Sequence, residues 1–338
     1  MMNGALLAST RALVARFRRR RPLRSGSLLI TLLGDSVMPR GGAITLGSLI
    51  RLAQPFGLSE RLVRTTVARV AQLGLLEVRR EGRRSEYRLS AQGRRRFAEA
   101  TLRIYGAGPR SWDGRWTLLL LASPARLDER LRRELRWLGF GQLSAHAYVH
   151  PSYSLAAARR RAAELGMRDC LTVQATTDSL AVDRRLLAAS WDLHELGRRY
   201  GSFITDFGAV SRALELDARA HRPRPLSEPA LLEAAFIVRT LLIHEYRKIH
   251  LRDPQLPPAL LPPGWVGGEA YELCRHLYRA LFGAAEQFLA THAQSLAGSL
   301  PAPARATYAR FGGLPAPRGR RAHTRAVQRA AHAVAHVP

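Results

Sequence analysis

Leu62, Val63, Thr66, Val67, Val70 and Leu73 recur at three- and four-residue intervals, which predicts a helix with one inward face. Ser59 stands at the N-cap position, and Gly74 marks the stop. The opposite face carries Arg61, Arg64, Thr65, Ala68 and Arg69, all cationic, polar or small. Two short alternating runs follow, 75–78 and 86–89, around an arginine-rich turn over 79–85. Upstream, 27–33 reads as a first buried helix, ended by Gly34-Asp35 and the breakers at 39–42. Thr45 caps a second helix over 46–53, and 55–57 forms the turn into the third. A surface helix with merely solvated arginines is the plainer reading of 59–73 alone. Helix, turn, helix and basic hairpin in this order favour a winged helix-turn-helix instead. In such a unit one helix enters the major groove and the wing follows phosphates.

The periodicity changes further on. A helix over about 90–105 leads to a Gly/Pro linker at 106–109. Strand signals at 114–122, 145–150 and 170–175 alternate with helices opening at Pro124/Asp128 and over 155–165. That order suggests a ferredoxin-like α+β sandwich with one strand not visible in the pattern. From about 189 the pattern is helical: an aromatic face from Trp191 to Phe207, a strongly apolar helix over 231–249 and an amphipathic one over 269–292. The fold class is therefore α+β, in five segments. These are a basic N-terminal arm (1–23), a winged helix-turn-helix with its linker helix (24–110), and a ferredoxin-like middle domain (111–188). A helical effector and dimerisation domain (189–300) and a disordered basic tail (301–338) complete the chain. Residues 5–24 do not read as a secretory leader, because their arginines follow the apolar residues.

Charge sharpens this division. The 338 residues carry a formal net charge of +27, and every basic residue except Lys248 is arginine. Residues 1–110 hold 22 arginines against 6 acids, and 301–338 hold 7 arginines and no acid. The body between them is nearly balanced, so the excess sits where a polyanion would be met. Cys170 and Cys274 are far apart and form no CxxC, which argues for thiols in a reducing cytoplasm. No apolar run is long enough to span a membrane. The expected location is the cytoplasm, on the nucleoid.

Several segments together resemble the PaaX family, bacterial transcriptional repressors of phenylacetic acid degradation. They include Arg24-Ser25-Gly26, Leu58-Ser59-Glu60 with Val63-Arg64-Thr65, and Trp112-Asp113-Gly114-Arg115-Trp116. Leu135-Arg136-Trp137-Leu138-Gly139-Phe140-Gly141, Tyr148-Val149-His150-Pro151 and Trp191-Asp192-Leu193 follow in order. The longest pair runs from His244 to Ile249 and from Arg252 to Gly267, so the resemblance spans residues 24–298. It implies a winged helix, a ferredoxin-like middle and a helical C-terminal domain. It also implies a dimer on double-stranded promoter DNA, released by an aryl-CoA thioester such as phenylacetyl-CoA.

The candidate DNA-binding residues are Ser59, Arg61, Arg64, Thr65, Arg69, Arg83 and Arg84. A CoA-thioester sensor needs cations for phosphates and an apolar pocket for the acyl group. Arg239, Tyr246, Arg247, Lys248, Arg252 and Trp265 are the candidates, although Arg252-Asp253 also reads as a structural ion pair and Trp265 as a core plug. His244 and His250 do not complete His-Glu-x-x-His, and neither a nucleophile motif nor a phosphate loop appears. No metal, cofactor or catalysis is expected. Two alternatives remain: a CoA-thioester hydrolase or nuclease fused to a DNA-binding domain, and an effector-free architectural DNA-binding protein. The large, nearly neutral body argues against the second.

Overall fold

The computed structural model describes residues 3–19, 25–106, 111–123, 128–167, 169–220 and 228–315. Its first element, helix α1 (Asn3–Arg19), corrects the expectation of a basic arm. Leu6 and Phe17 are buried, and the helix lies against the C-terminal helices. Phe17 makes an edge contact with His244 at 5.6 Å. The arginines of that segment dominated its reading, yet its apolar residues still cover core. Arg20 and Arg21 fall outside the described residues.

The winged unit runs through α2 (Ser25–Leu32), β1 (Ala43–Thr45), α3 (Leu46–Ala53), α4 (Glu60–Gln72), β2 (Leu76–Glu81) and β3 (Arg84–Leu89). Its antiparallel sheet has the order β1-β3-β2. This is the helix–strand–helix–helix–strand–strand order of a winged helix. Thr45 and Ser59 cap α3 and α4, accepting from Ser48 N and Leu62 N. Gly57, at φ 79°, makes the left-handed turn between those helices. Three local expectations are corrected. α2 does not end at Gly34-Asp35 but continues through a π-turn (Leu33–Val37) that carries Asp35 inward. Leu73 is 61% exposed, because the helix ends before that position can turn inward. The wing is a tight hairpin about Gly82-Arg83, so Arg79 and Arg80 lie in β2 rather than in the turn.

Helix α5 (Ala91–Tyr105) leads to the middle domain, with β4 (Trp116–Leu121), α6 (Glu129–Trp137), β5 (Gly141–Ser144), β6 (Ala147–His150), α7 (Leu155–Glu164) and β7 (Cys170–Ala175). The strand order β5-β6-β4-β7, antiparallel throughout, is the ferredoxin-like arrangement. β5 is the strand the pattern did not show; it is four residues long, with Gly at its start. Helix α8 (Leu180–Ser190) covers the sheet face opposite α6 and α7, where Trp116 donates to Asp183 Oδ1 at 2.7 Å.

Helices α9 (Leu193–Ala220), α10 (Pro229–His250) and α11 (Gly267–His292) form the C-terminal bundle. α10 is buried around most of its circumference because α9 and α11 cover one side while α1 and α2 cover the other. The winged unit and the bundle therefore share one core, whereas the middle domain has its own. The expectation of a disordered tail from 301 is corrected in part. Within it a 3-10 segment (Arg305–Gly312) returns the chain to the winged unit, as does a short hairpin just before it (Gln294–Ser295 with Gly298–Ser299) where the helical domain was expected to end. Leu296 N donates to buried Glu86 at 2.8 Å, and Phe311 is fully buried. Residues 316–338 lie outside the described ones. Cys274 is buried and Cys170 half-buried, both as free thiols.

Candidate nucleic-acid interface and ligand cleft

The packing of α4 sorts its side chains by chemistry. Val63, Thr66, Val67 and Val70 are buried, while Arg61, Arg64, Thr65 and Arg69 stand exposed on the other face. Ser59 opens this surface as N-cap, its hydroxyl 3.3 Å from Leu62 N. Arg83 and Arg84 are exposed at the wing tip. All seven sequence candidates thus lie on exposed α4 or wing positions. Arg79 and Arg80 extend the cationic wing. Arg64 is not idle in the free protein: its Nε donates to Glu60 at 2.8 Å one turn back. An exposed i,i+4 pair of this kind is worth only about 0.3–0.5 kcal/mol, so a phosphate or a base edge can displace it.

The effector candidates do not form one group. Arg239 is completely buried, 3.2 Å from Asp35 and 2.7 Å from Glu286. Tyr246 is also fully buried and bonds His250 Nδ1 at 3.1 Å. These two are core residues, and their proximity in sequence to the others reflects helix length rather than a shared cavity. Asp253 is a buried anchor: it accepts from Tyr200 at 2.7 Å and from Gln255 N at 2.7 Å. The Arg-Asp-Pro stretch is therefore partly structural. Trp265 packs edge-on to Tyr200 at 5.9 Å and lines a groove with Pro262, Pro263 and Trp191.

Arg247, Lys248 and Arg252 instead line a cleft of about 1120 Å³ between the middle domain and the bundle. Its other wall is α6, which contributes Arg132, Arg133 and Arg136, and Arg16 and Arg199 complete the cations. Only Asp192, Asp206 and Glu245 oppose these eight among the lining residues. Asp206 pairs with Arg16, and Glu245 with Lys248 at 3.1 Å. Half-buried Trp137 and Trp191 supply aromatic surface in the same cleft, with buried Phe140, Tyr148 and Phe203 packed behind its lining. This combination suits a ligand with several phosphates and an apolar portion. Sequence reading missed the α6 arginines. Their signal was present, since Arg132, Arg133 and Arg136 occupy the helix face away from Leu131, Leu135 and Leu138. Trp191 belongs to both hollows, so the Trp265 groove adjoins the cationic cleft.

Among the described residues, no group of His, Cys, Asp and Glu is arranged to hold a metal ion. None of the described helices is long and apolar enough to cross a membrane.

The electrostatic centre of the molecule lies behind these surfaces. Burial alone would raise the Asp35 pKa, but Arg239 and Arg310 hold its carboxyl below the usual carboxylate value. Tyr105 and Tyr278 donate to Asp35 at 2.6 and 2.8 Å, and Arg310 at 2.9 Å. Five segments therefore meet at one carboxylate of the winged unit.

Three family models match in chain order. The one described as PaaX-like protein matches residues 24–93, the PaaX protein central Cas2-like domain 109–187, and the PaaX-like protein C-terminal domain 191–291. The transcriptional repressor PaaX of Escherichia coli K12 is 38% identical over 301 residues, covering 87% of this chain and 92% of that protein. The solved structure of an uncharacterized protein from Mycobacterium tuberculosis is 19% identical, covers 71% of this chain and 89% of that one, and aligns with a TM-score of 0.44. On the three consecutive domain matches and the near full-length similarity to the repressor, the chain belongs to the PaaX family.

Proposed function

We propose that this protein is a DNA-binding transcriptional repressor of a phenylacetate-type aromatic-acid catabolic operon, released by an aryl-CoA thioester. The observation that carries the DNA reading is the exposed set Arg61, Arg64, Thr65 and Arg69 on α4, beside a wing tipped by Arg83 and Arg84. A helix with one buried face and one arginine-bearing face suits the major groove, and a basic hairpin beside it suits the flanking phosphates. One such helix reads only a few base pairs, so the protein is proposed to act as a homodimer on paired half-sites. The relative that is 38% identical is named a transcriptional repressor, and catalysis forms no part of this protein's role.

For the effector, the cationic cleft is the proposed site, with Arg247, Lys248 and Arg252 retained from the sequence candidates. Trp265 stands at its neighbouring groove. The thioester's phosphates would meet the arginines and its aryl group the aromatic wall. Phosphate contacts alone cannot separate a thioester from free CoA, so the apolar part must supply that difference.

The test is a gel shift on the DNA upstream of the protein's own gene, with phenylacetyl-CoA, acetyl-CoA, free CoA and phenylacetic acid. The expected result is a specific complex dissolved by phenylacetyl-CoA well before the other three. Equal binding to unrelated DNA, or a complex indifferent to every thioester, would refute it and favour an architectural protein.

A further inference from the structure

Arg247 belongs to two neighbourhoods. It lines the cationic cleft, yet its guanidinium is committed to α2. Nε donates to Thr31 Oγ1 at 2.7 Å, and Nη2 donates to the Ser27 carbonyl at 2.5 Å and to Ser27 Oγ at 2.8 Å. These acceptors are all neutral, unlike those of Arg239 and Arg310, which meet Asp35 directly. Burial accordingly pushes the Arg247 pKa down to about 10. A half-buried cation whose hydrogen bonds go to neutral oxygens, with the Glu245 carboxylate offsetting only part of the burial, is incompletely compensated, and it borders an open cleft. Helix α2, which it holds, touches α4 in turn. Ser25 Oγ lies 3.1 Å from Thr66 Oγ1, and Thr66 sits on the buried face of α4.

We propose that Arg247 couples the cleft to the DNA-facing helix: an anionic ligand draws its guanidinium away from Ser27 and Thr31, loosens α2 against α10, leaving the Thr31–His244 contact and the shared apolar packing, and shifts α4 through the Ser25–Thr66 contact. The inference rests on the effector reading above and adds its regulation. The bonds from Arg247 to Ser27 and Thr31 have an ionised donor only, whereas a phosphate oxygen adds an ionised acceptor and a coulombic attraction that neutral oxygens lack, so the exchange favours the ligand. The α2–α10 contact is the element that both sites bias where a phosphate takes the Nε/Nη2 edge of Arg247, since those donors then cannot also bond α2. Free phenylacetic acid, with a single carboxylate, would compete poorly among eight cleft cations.

The experiment compares wild type, Arg247→Gln and the double variant Ser27→Ala/Thr31→Val. Phenylacetyl-CoA binding is measured by calorimetry, and operator affinity without and with saturating phenylacetyl-CoA by gel shift. The double variant keeps the arginine in the cleft and removes the side-chain acceptors on α2; the Ser27 carbonyl stays, Ser27 borders the cleft, and Thr31 also gives up its 3.2 Å contact with His244 Nδ1. Its phenylacetyl-CoA affinity is expected to stay within about threefold of wild type, while the ratio of operator affinities falls from tenfold or more to about threefold or less. Arg247→Gln is expected to lose the ratio by a larger factor than it loses ligand affinity. A wild-type ratio in the double variant, or equal losses of affinity and ratio in Arg247→Gln, would overturn the coupling. A wild-type protein that binds no phenylacetyl-CoA would instead overturn the effector reading itself.

Discussion

Replacing Asp35 by Asn removes one charge from the place where the winged unit joins the rest of the molecule. The carboxylate is almost entirely enclosed and is approached by Tyr105, Tyr278, Arg239 and Arg310. Its surroundings hold three arginines, Arg40, Arg239 and Arg310, and one other carboxylate, Glu286. Glu286 pairs with Arg40 and Arg239, so after the substitution Arg310 faces no acid among the described residues. An asparagine oxygen can still accept from the tyrosines, but its amide group points donors at guanidinium donors. Leaving a buried ion without its partner costs about 3–5 kcal/mol. The loss should fall at the joint rather than evenly, because Asp35 belongs to the π-turn after α2 while its partners come from α5, α10, α11 and the C-terminal 3-10 segment. Urea unfolding followed by circular dichroism should give a lower midpoint, and limited proteolysis should cut earlier near the winged unit. Adding Arg310→Met to Asp35→Asn should restore part of the loss, since it removes the uncompensated cation. A midpoint change equivalent to less than about 1 kcal/mol would mean that the cluster is far better hydrated than its enclosure implies, and the argument would fail.

Other expectations concern DNA, association and pH. Arg64→Ala should cost about 1–3 kcal/mol of operator affinity and loosen sequence choice, whereas Arg83→Ala should weaken all sequences alike and reduce the salt slope by about 1. An Arg64→Ala protein that distinguishes operator from random DNA as wild type does would remove α4 from the interface. Sedimentation at micromolar concentration should show a dimer free and on DNA; a monomer in both states would remove the paired half-site reading. His150 is held down to about 3 from 6.5, by burial first and by Arg103 second, and its Nδ1 accepts from Ser152 N at 2.9 Å. The unfolded chain gains that proton below pH 6.5 and the folded one does not, so stability declines from pH 6.5 toward 3 by about 1.4 kcal/mol per unit. His150→Asn should flatten this decline in urea midpoints between pH 7.5 and 5.5; an unchanged slope would place the titration elsewhere.

Local physics explains which parts of the fold were legible. The α4 stripe, its Ser59 cap and the alternation in the wing are set by near neighbours, so their spacing survives in the sequence. β1 and β5 are three and four residues long, too short for alternation to stand out from a turn, and each is an edge strand set by its neighbour, β1 by six-residue β3 and β5 by β6, itself four residues long. Helix α1 was obscured differently. Its arginines satisfied solvent and Asp206, while Leu6 and Phe17 matched a surface on α9 and α10 some two hundred residues away. The 3-10 segment with Arg310 follows the same rule: one of seven arginines in a stretch rich in proline, glycine and alanine reads as tail until Asp35 is brought to it by the fold.

The ligand cleft tests that rule most severely. The segment from Arg239 to Arg252 gathers cations within four helical turns, and proximity in sequence suggested that they act together. On a helix buried around most of its circumference, proximity means the opposite, since successive residues face different neighbours. Arg239 turns toward Asp35 and Arg247 toward α2 and the cleft, eight residues and slightly more than two turns later. The partners that make a cleft of Arg247, Lys248 and Arg252 stand on α6, more than a hundred residues earlier and in another domain. No spacing rule connects the two. What the sequence did carry was chemical type: both segments are basic with aromatic residues close by, and only packing decides that they face one another. The same packing leaves Arg247 between a neutral helix and a cationic hollow, where a ligand's charge can compete for it.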